Sequence, residues 1–195
     1  MTGVINPTKL TLEEFLELPE TEPASEFIDG RVEQKPMPQG KHSRLQLKFC
    51  NAVNAIAEEQ QIAMAFPELR CTFGGRLIVP DATVFLWQRI PFDANGEVEN
   101  SFEIYPDWTV EILSPEQKTT KVIRNILHCL KHGSQLGSHG SSPLTQHPAE
   151  MLHPKLLLMS KGTLNGSFRR VIRFPERRDP VRLDRQVAEL PAGRA

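Results

Sequence analysis

Two acids stand where a chain building a core would not be expected to spend them. Asp81 interrupts the apolar, β-branched run from Leu77 to Leu86, and Glu111 interrupts the run from Trp108 to Leu113. Ionised carboxylates are seldom buried without a partner or a metal. Side chains alternate along a strand, so Asp81 shares a face with Thr83, and Glu111 with Leu113. If the two strands are neighbours, the acids converge at one end of a sheet. Carboxylate oxygens with water are the ligands that Mg²⁺ selects. Such an ion positions a water, lowers its pKa and offsets charge on a phosphoryl group. Taken singly, each acid has a plainer reading: an Asp after Pro is a turn feature, and a Glu in a strand sits on a solvated face. The pair, with its apolar flanks, points to a metal-dependent hydrolytic site.

The elements that must position this pair can be followed along the chain. Thr11 and Glu14 form a capping-box pattern for a short helix, which Pro19 stops. Glu26 to Glu33 reads as a hairpin turning at Asp29-Gly30. From Ser43 to Gln60, Leu45, Phe49, Ala52, Val53 and Ile56 recur at helical spacing. A short strand is expected over 62–66, a turn at Gly74-Gly75, one strand over 77–86, a polar loop over 91–100 and a buried strand over 108–113. Ser114 to Gln117 offers a second capping box with proline at the first helical position. The helix it opens runs to about Lys131 on a stripe of Val122, Ile123, Ile126, Leu127 and Leu130. Hairpins and a long helix beside a sheet indicate an α/β or α+β domain.

These motifs carry a resemblance. Val79-Pro80-Asp81 followed by Val110 to Pro115, the hairpin opening Glu26 to Gly30, and His42-Ser43 before the first long helix resemble the Uma-two family of restriction-endonuclease-like proteins. The match covers roughly residues 8–137. It implies a PD-(D/E)xK nuclease fold, a mixed sheet flanked by helices. It also implies a bacterial endonuclease that hydrolyses DNA phosphodiester bonds with Mg²⁺ held by Asp81 and Glu111, with Glu26 as an accessory acid.

The same resemblance shows where this chain departs from the pattern. The wider fold places a lysine two residues after the glutamate, where Leu113 stands here. In the Uma-two pattern the basic residue moves onto the following helix, with an acid one turn earlier. Those places hold Asn125 and Lys121. Lys121 is the candidate catalytic substitute, because Lys121, Asn125 and His128 share one polar face at helical spacing. Lys118 and Arg124 are further candidates. The alternative is a solvated basic face and a nuclease relic that binds metal, nucleic acid or a partner without turnover.

Other groups carry less. His42 is read as flanking a helix, with proton transfer or phosphate contact as the alternative. His128 and His132 have zinc spacing but no third ligand nearby. Cys50, Cys71 and Cys129 form no C-x-x-C pair and read as buried thiols of a cytoplasmic protein. No apolar run is long enough to span a bilayer, and no signal-peptide pattern opens the chain.

The 195 residues suit one domain with an appendage, and the net charge of −1 leaves any nucleic-acid contact local. DNA is the expected partner, with a second copy of the chain as a candidate. Charge divides the chain near Gly133. Residues 1–133 hold 13 basic and 19 acidic residues, net −6, whereas residues 134–195 hold 10 and 5, net +5. A domain over 1–137 and an atypical basic, Pro/Arg-rich tail over 138–195 are expected. The tail has two prolines and few β-formers between Ser138 and Pro148, which argues against a buried strand there. It reads as a shifted reading frame or rearranged gene end, and alternatively as a nucleic-acid-binding basic tail, disordered alone.

Overall fold

A computed structural model describes residues 10–113, 119–141 and 157–160. The helices are α1 (Leu12–Leu16), α2 (Gly40–Ala57) and α3 (Thr119–His132). The strands are β1 (Ser25–Ile28), β2 (Arg31–Gln34), β3 (Ala63–Pro67), β4 (Arg70–Phe73), β5 (Arg76–Ile78), β6 (Ala82–Leu86), β7 (Ser101–Phe102), β8 (Trp108–Leu113), β9 (Leu136–Ser141) and β10 (Leu157–Ser160). Two five-stranded mixed sheets result, in the orders β2-β1-β5-β4-β7 and β10-β9-β8-β6-β3.

Local chemistry explains the first elements. The Thr11 hydroxyl accepts from the Glu14 N–H, and the Glu14 carboxylate accepts from the Thr11 N–H, so α1 starts on a complete capping box. Asp29 and Gly30 both take positive φ, which the two-residue turn of the β1–β2 hairpin requires. The helix α2 lays Phe49, Cys50, Val53 and Ala57 on Ala82, Val84 and Leu86 of β6 and on Trp108 and Val110 of β8.

The expected single strand over 77–86 is corrected. It is two strands in different sheets: Leu77 of β5 pairs with Phe27, whereas Ala82 of β6 pairs with Pro67. Pro80 has no N–H to give a ladder, and the chain crosses between sheets at Pro80-Asp81. The β4 strand, and the short β7 beyond the polar loop, were not legible from periodicity.

The expectation that no buried strand lies between Ser138 and Pro148 is corrected at the start of that stretch, of which residues 138–141 are described. The β9 strand runs through Ser141 parallel to β8, and β10 pairs antiparallel to it. Small residues are what this position needs. A Cβ on Gly137 would come within 2.2 Å of Ile126 Cγ2, so α3 rests directly on the strand. Ser138 is fully buried and its hydroxyl accepts from the Trp108 indole N–H at 2.8 Å. The helix α3 is the crossover that a parallel pair demands. Residues 114–118, which hold the second capping box, lie outside the described residues, as does the Arg-rich run from Arg169 to Arg185.

Candidate functional site

The strands β6 and β8 are antiparallel neighbours, with Thr83 opposite Thr109 and Ala82 opposite Val110. One step further on this register, Asp81 faces Glu111. Alternation sends Ala82, Val84, Trp108 and Val110 toward α2, which leaves Asp81 and Glu111 on the opposite face. Both are buried, at 1% and 4% exposure.

Asp81 is held on every side. Its Oδ2 accepts from the Ile112 N–H at 2.7 Å. Its Oδ1 receives the Lys35 ammonium at 2.7 Å and His42 Nε2 at 3.2 Å. Its carbonyl accepts from Gln46 Nε2 at 3.0 Å. Burial alone would raise the Asp81 pKa, but the His42 hydrogen bond and the Lys35 charge outweigh it and hold the carboxyl below its ordinary range. Glu111 goes the other way. Burial, then the charges of Asp81 and Glu26, push it well above the ordinary glutamate range, while Lys35 pulls it down.

Glu26 reaches the same place from β1. Its Oε1 accepts from the Val79 N–H at 3.0 Å and from Asn125 Nδ2 at 3.2 Å, and its Oε2 lies 2.8 Å from Lys121 Nζ. Asn125 Nδ2 also stands 3.5 Å from Glu111 Oε1. The structure thus brings Glu26, Asp81 and Glu111 into one charge-coupled cluster, with Lys121 at its edge on Glu26.

The alternative of a solvated basic face on α3 does not describe Asn125 and His128. Lys121 remains partly exposed, but Asn125 and His128 are buried at 2% and 6%. Asn125 turns into the acid cluster. His128 stacks on Phe73 with ring centroids 4.8 Å apart and bonds the Phe73 carbonyl. His132 Nδ1 meets the His128 carbonyl at 2.8 Å. Arg124 is engaged with Glu33 at 2.9 Å. His42 is inside the first turn of α2 and turns its ring toward Asp81.

Three site residues escaped the sequence. Lys35 follows β2, and its Nζ also donates to the Val79 carbonyl at 2.7 Å. Burial works against its charge, but Asp81, Glu111 and Glu26 hold its pKa above the ordinary lysine value. Glu68, at positive φ between β3 and β4, offers a carboxylate oxygen. It forms with His42 and Asp81 a trio whose ligand atoms all lie within 4.8 Å of one another. His139 of β9 is the registered neighbour of Glu111 on β8. A cation before a proline has no periodic signature, although Lys35 is the only charge between Glu33 and Lys41.

The donor set fits a hard divalent cation. It consists of the carboxylate oxygens of Asp81, Glu111 and Glu68 with the His42 ring nitrogen beside Asp81, and among the described residues the Asn125 carbonyl oxygen is buried without a hydrogen-bond partner. A dication beside Glu111 would also favour the charged form that burial disfavours. Two clefts open onto the cluster. One is lined by Glu26, Lys35, Glu111, Lys121 and Asn125, the other by Lys35, Met37, His42, Glu68 and Asp81. Lys35 borders both.

Known proteins agree with this architecture. A crystal structure of a putative nuclease belonging to DUF820 from Anabaena variabilis ATCC 29413 superposes with a TM-score of 0.66 at 50% identity, covering 78% of this chain and 85% of that one. No curated protein matches the chain. The model of the Uma2 family, described as "Putative restriction endonuclease", matches residues 12–138. With that span matched, and with the paired acids of β6 and β8 at the centre of the fold, the chain belongs to the Uma2 family.

Proposed function

We propose that this chain is a divalent-metal-dependent endonuclease that hydrolyses phosphodiester bonds in DNA, with Asp81 and Glu111 holding Mg²⁺. The observation that carries the reading is the register that sets these two buried acids opposite each other on one face of β6 and β8. When bound, the ion supplies an activated water and offsets charge on a phosphoryl oxygen. The protein supplies the geometry. The Ile112 N–H fixes Asp81 Oδ2, and Asn125 donates to Glu111 and Glu26. Lys121 neutralises Glu26, and Glu26 is the accessory acid. His42 Nε2, next to Asp81 Oδ1, is placed to take or return a proton at the edge of the cleft. DNA, a cytoplasmic location and a bacterial host belong to this same reading. Among the described residues no helix is long and apolar enough to cross a membrane.

The test is a plasmid-nicking assay with Mg²⁺ on the wild type and Asp81→Ala. Nicking by the wild type alone supports the reading, and equal cleavage by both sinks it. A second reading, a nuclease-fold relic, draws on one observation: Leu113 and Asn125 are neutral where a basic residue is expected. Metal binding without nicking selects that reading.

A further inference from the structure

Within the cluster, the charge ledger does not close on the α3 side. Lys121 faces Glu26 and Glu33, not Asp81 or Glu111. Asn125 reaches Glu26 and Glu111 but carries no charge. Among the described lysines and arginines, the one that meets Asp81 is Lys35. Its side chain is only 11% exposed and its Nζ is 2.7 Å from Asp81 Oδ1. It borders the cleft that holds Glu26, Glu111 and Asn125 as well as the cleft that holds His42 and Glu68. The Val79 carbonyl anchors the same ammonium at 2.7 Å. Burying a flexible, strongly hydrated ammonium is costly unless it answers fixed negative charge. Here it answers three carboxylates at once.

We propose that Lys35 is the working lysine of this site: a tethered ammonium that competes with the divalent ion at Asp81 and serves as the cationic group beside the reacting phosphate. The assignment rests on the nuclease reading for its catalytic half and on geometry alone for its competitive half. An ammonium at hydrogen-bond distance from a carboxylate oxygen must be displaced or shared when a dication takes that oxygen. Removing it therefore tightens metal binding and weakens catalysis, a split that simple unfolding cannot produce. Asn125 borders the same cleft from α3, so a lysine there reaches the same carboxylates by another route.

Three proteins decide it: wild type, Lys35→Met and the double variant Lys35→Met with Asn125→Lys. Mn²⁺ binding is read by calorimetry and plasmid nicking in Mg²⁺. Lys35→Met is expected to bind Mn²⁺ about tenfold more tightly, since one competing charge is gone. It is expected to nick about 100-fold more slowly, as for loss of one electrostatic stabiliser. The double variant is expected to recover nicking and return toward wild-type Mn²⁺ affinity. Unchanged or weaker Mn²⁺ binding by Lys35→Met overturns the proposal, and so does wild-type nicking by it. A wild type that binds Mn²⁺ but nicks nothing removes the nuclease reading, and the affinity difference then decides Lys35. If neither wild type nor Lys35→Met binds Mn²⁺, the competitive role is refuted.

Discussion

Asp81 Oδ2 accepts the backbone N–H of Ile112, the residue after Glu111, at 2.7 Å. The first acid is therefore fastened to the strand that carries the second, and a change at Asp81 alters both the ligand set and the seam between β6 and β8. Asp81→Ala leaves the Lys35 ammonium buried without its carboxylate, which costs about 3–5 kcal/mol for a broken buried pair. Asp81→Asn keeps an oxygen for the Ile112 N–H and costs less. Both are expected to lose nicking by on the order of 10³-fold, the scale of losing several kcal/mol of metal-assisted stabilisation. Chemical denaturation beside the nicking assay separates the two effects. An Asp81→Ala protein as stable as wild type would show that the Lys35 contact contributes nothing.

Glu111 responds in the opposite sense. Burial and the neighbouring acids raise its pKa well above the ordinary value. A raised acid contributes stability below its unfolded pKa, and that contribution is lost as pH rises through the folded one. Glu111→Gln removes this burden while keeping a partner for Asn125. In chelator at neutral pH, Glu111→Gln is expected to melt a few degrees above wild type, as about 1 kcal/mol gives in a domain of this size. It should also lose most of the stabilisation that millimolar Mg²⁺ confers on the wild type. A Mg²⁺-induced shift equal to that of wild type counts against Glu111 as a ligand.

These two acids were readable in the sequence because each breaks an apolar β run, and burying a carboxylate demands a reason. The hairpin, α1 and α2 were readable for equally local reasons: Asp29-Gly30, the Thr11/Glu14 box and helical periodicity. What failed was non-local. Nothing near Lys35 says that it will meet Asp81, which is 46 residues away. The run 77–86 looked like one strand because the switch between sheets happens at Pro80-Asp81, between two short apolar stretches, Leu77–Val79 and Ala82–Leu86. On α3, helical spacing showed that Lys121, Asn125 and His128 share a polar face but not which of them turn inward. Asn125 packs into the acid cluster and His128 onto Phe73.

His128 provides a pH signature away from the acids. Burial is the main cause that lowers its pKa to about 4, with Arg76 and His132 adding to the effect. A histidine depressed when folded stays neutral there but takes a proton when unfolded. Its contribution is intact above the unfolded value near 6.5 and is lost as pH falls toward about 4. A shift of this size makes the loss on the order of 1–3 kcal/mol. The difference in stability between wild type and His128→Gln, measured by denaturant unfolding from pH 7 to pH 4, is expected to shrink across that window. A pH-independent difference would exclude a titrating His128.

The strand β9 makes the last test, because it lies across the boundary expected at residue 137. Ser138 is buried against the Trp108 indole, and His139 is the strand neighbour of Glu111. A chain ending at Gly137 leaves β8 without residues 138–141 of its parallel partner, so its edge is exposed and the core beneath α3 is open. Such a chain is expected to lose cooperative unfolding and to aggregate, whereas one ending at Ser160 retains both β9 and β10. Gly137→Val probes the same seam within the full chain. Its side chain would run into Ile126, which is β-branched within α3 and cannot swing aside. Overpacking of this kind costs about 1–3 kcal/mol or more. Gly137→Ala is expected to fall between Val and wild type, so a graded series in melting temperature reports direct helix-on-strand contact. A Gly137→Val protein that melts with wild type would mean that α3 does not rest on β9 at this point, and that the fold ends where the apolar pattern ends.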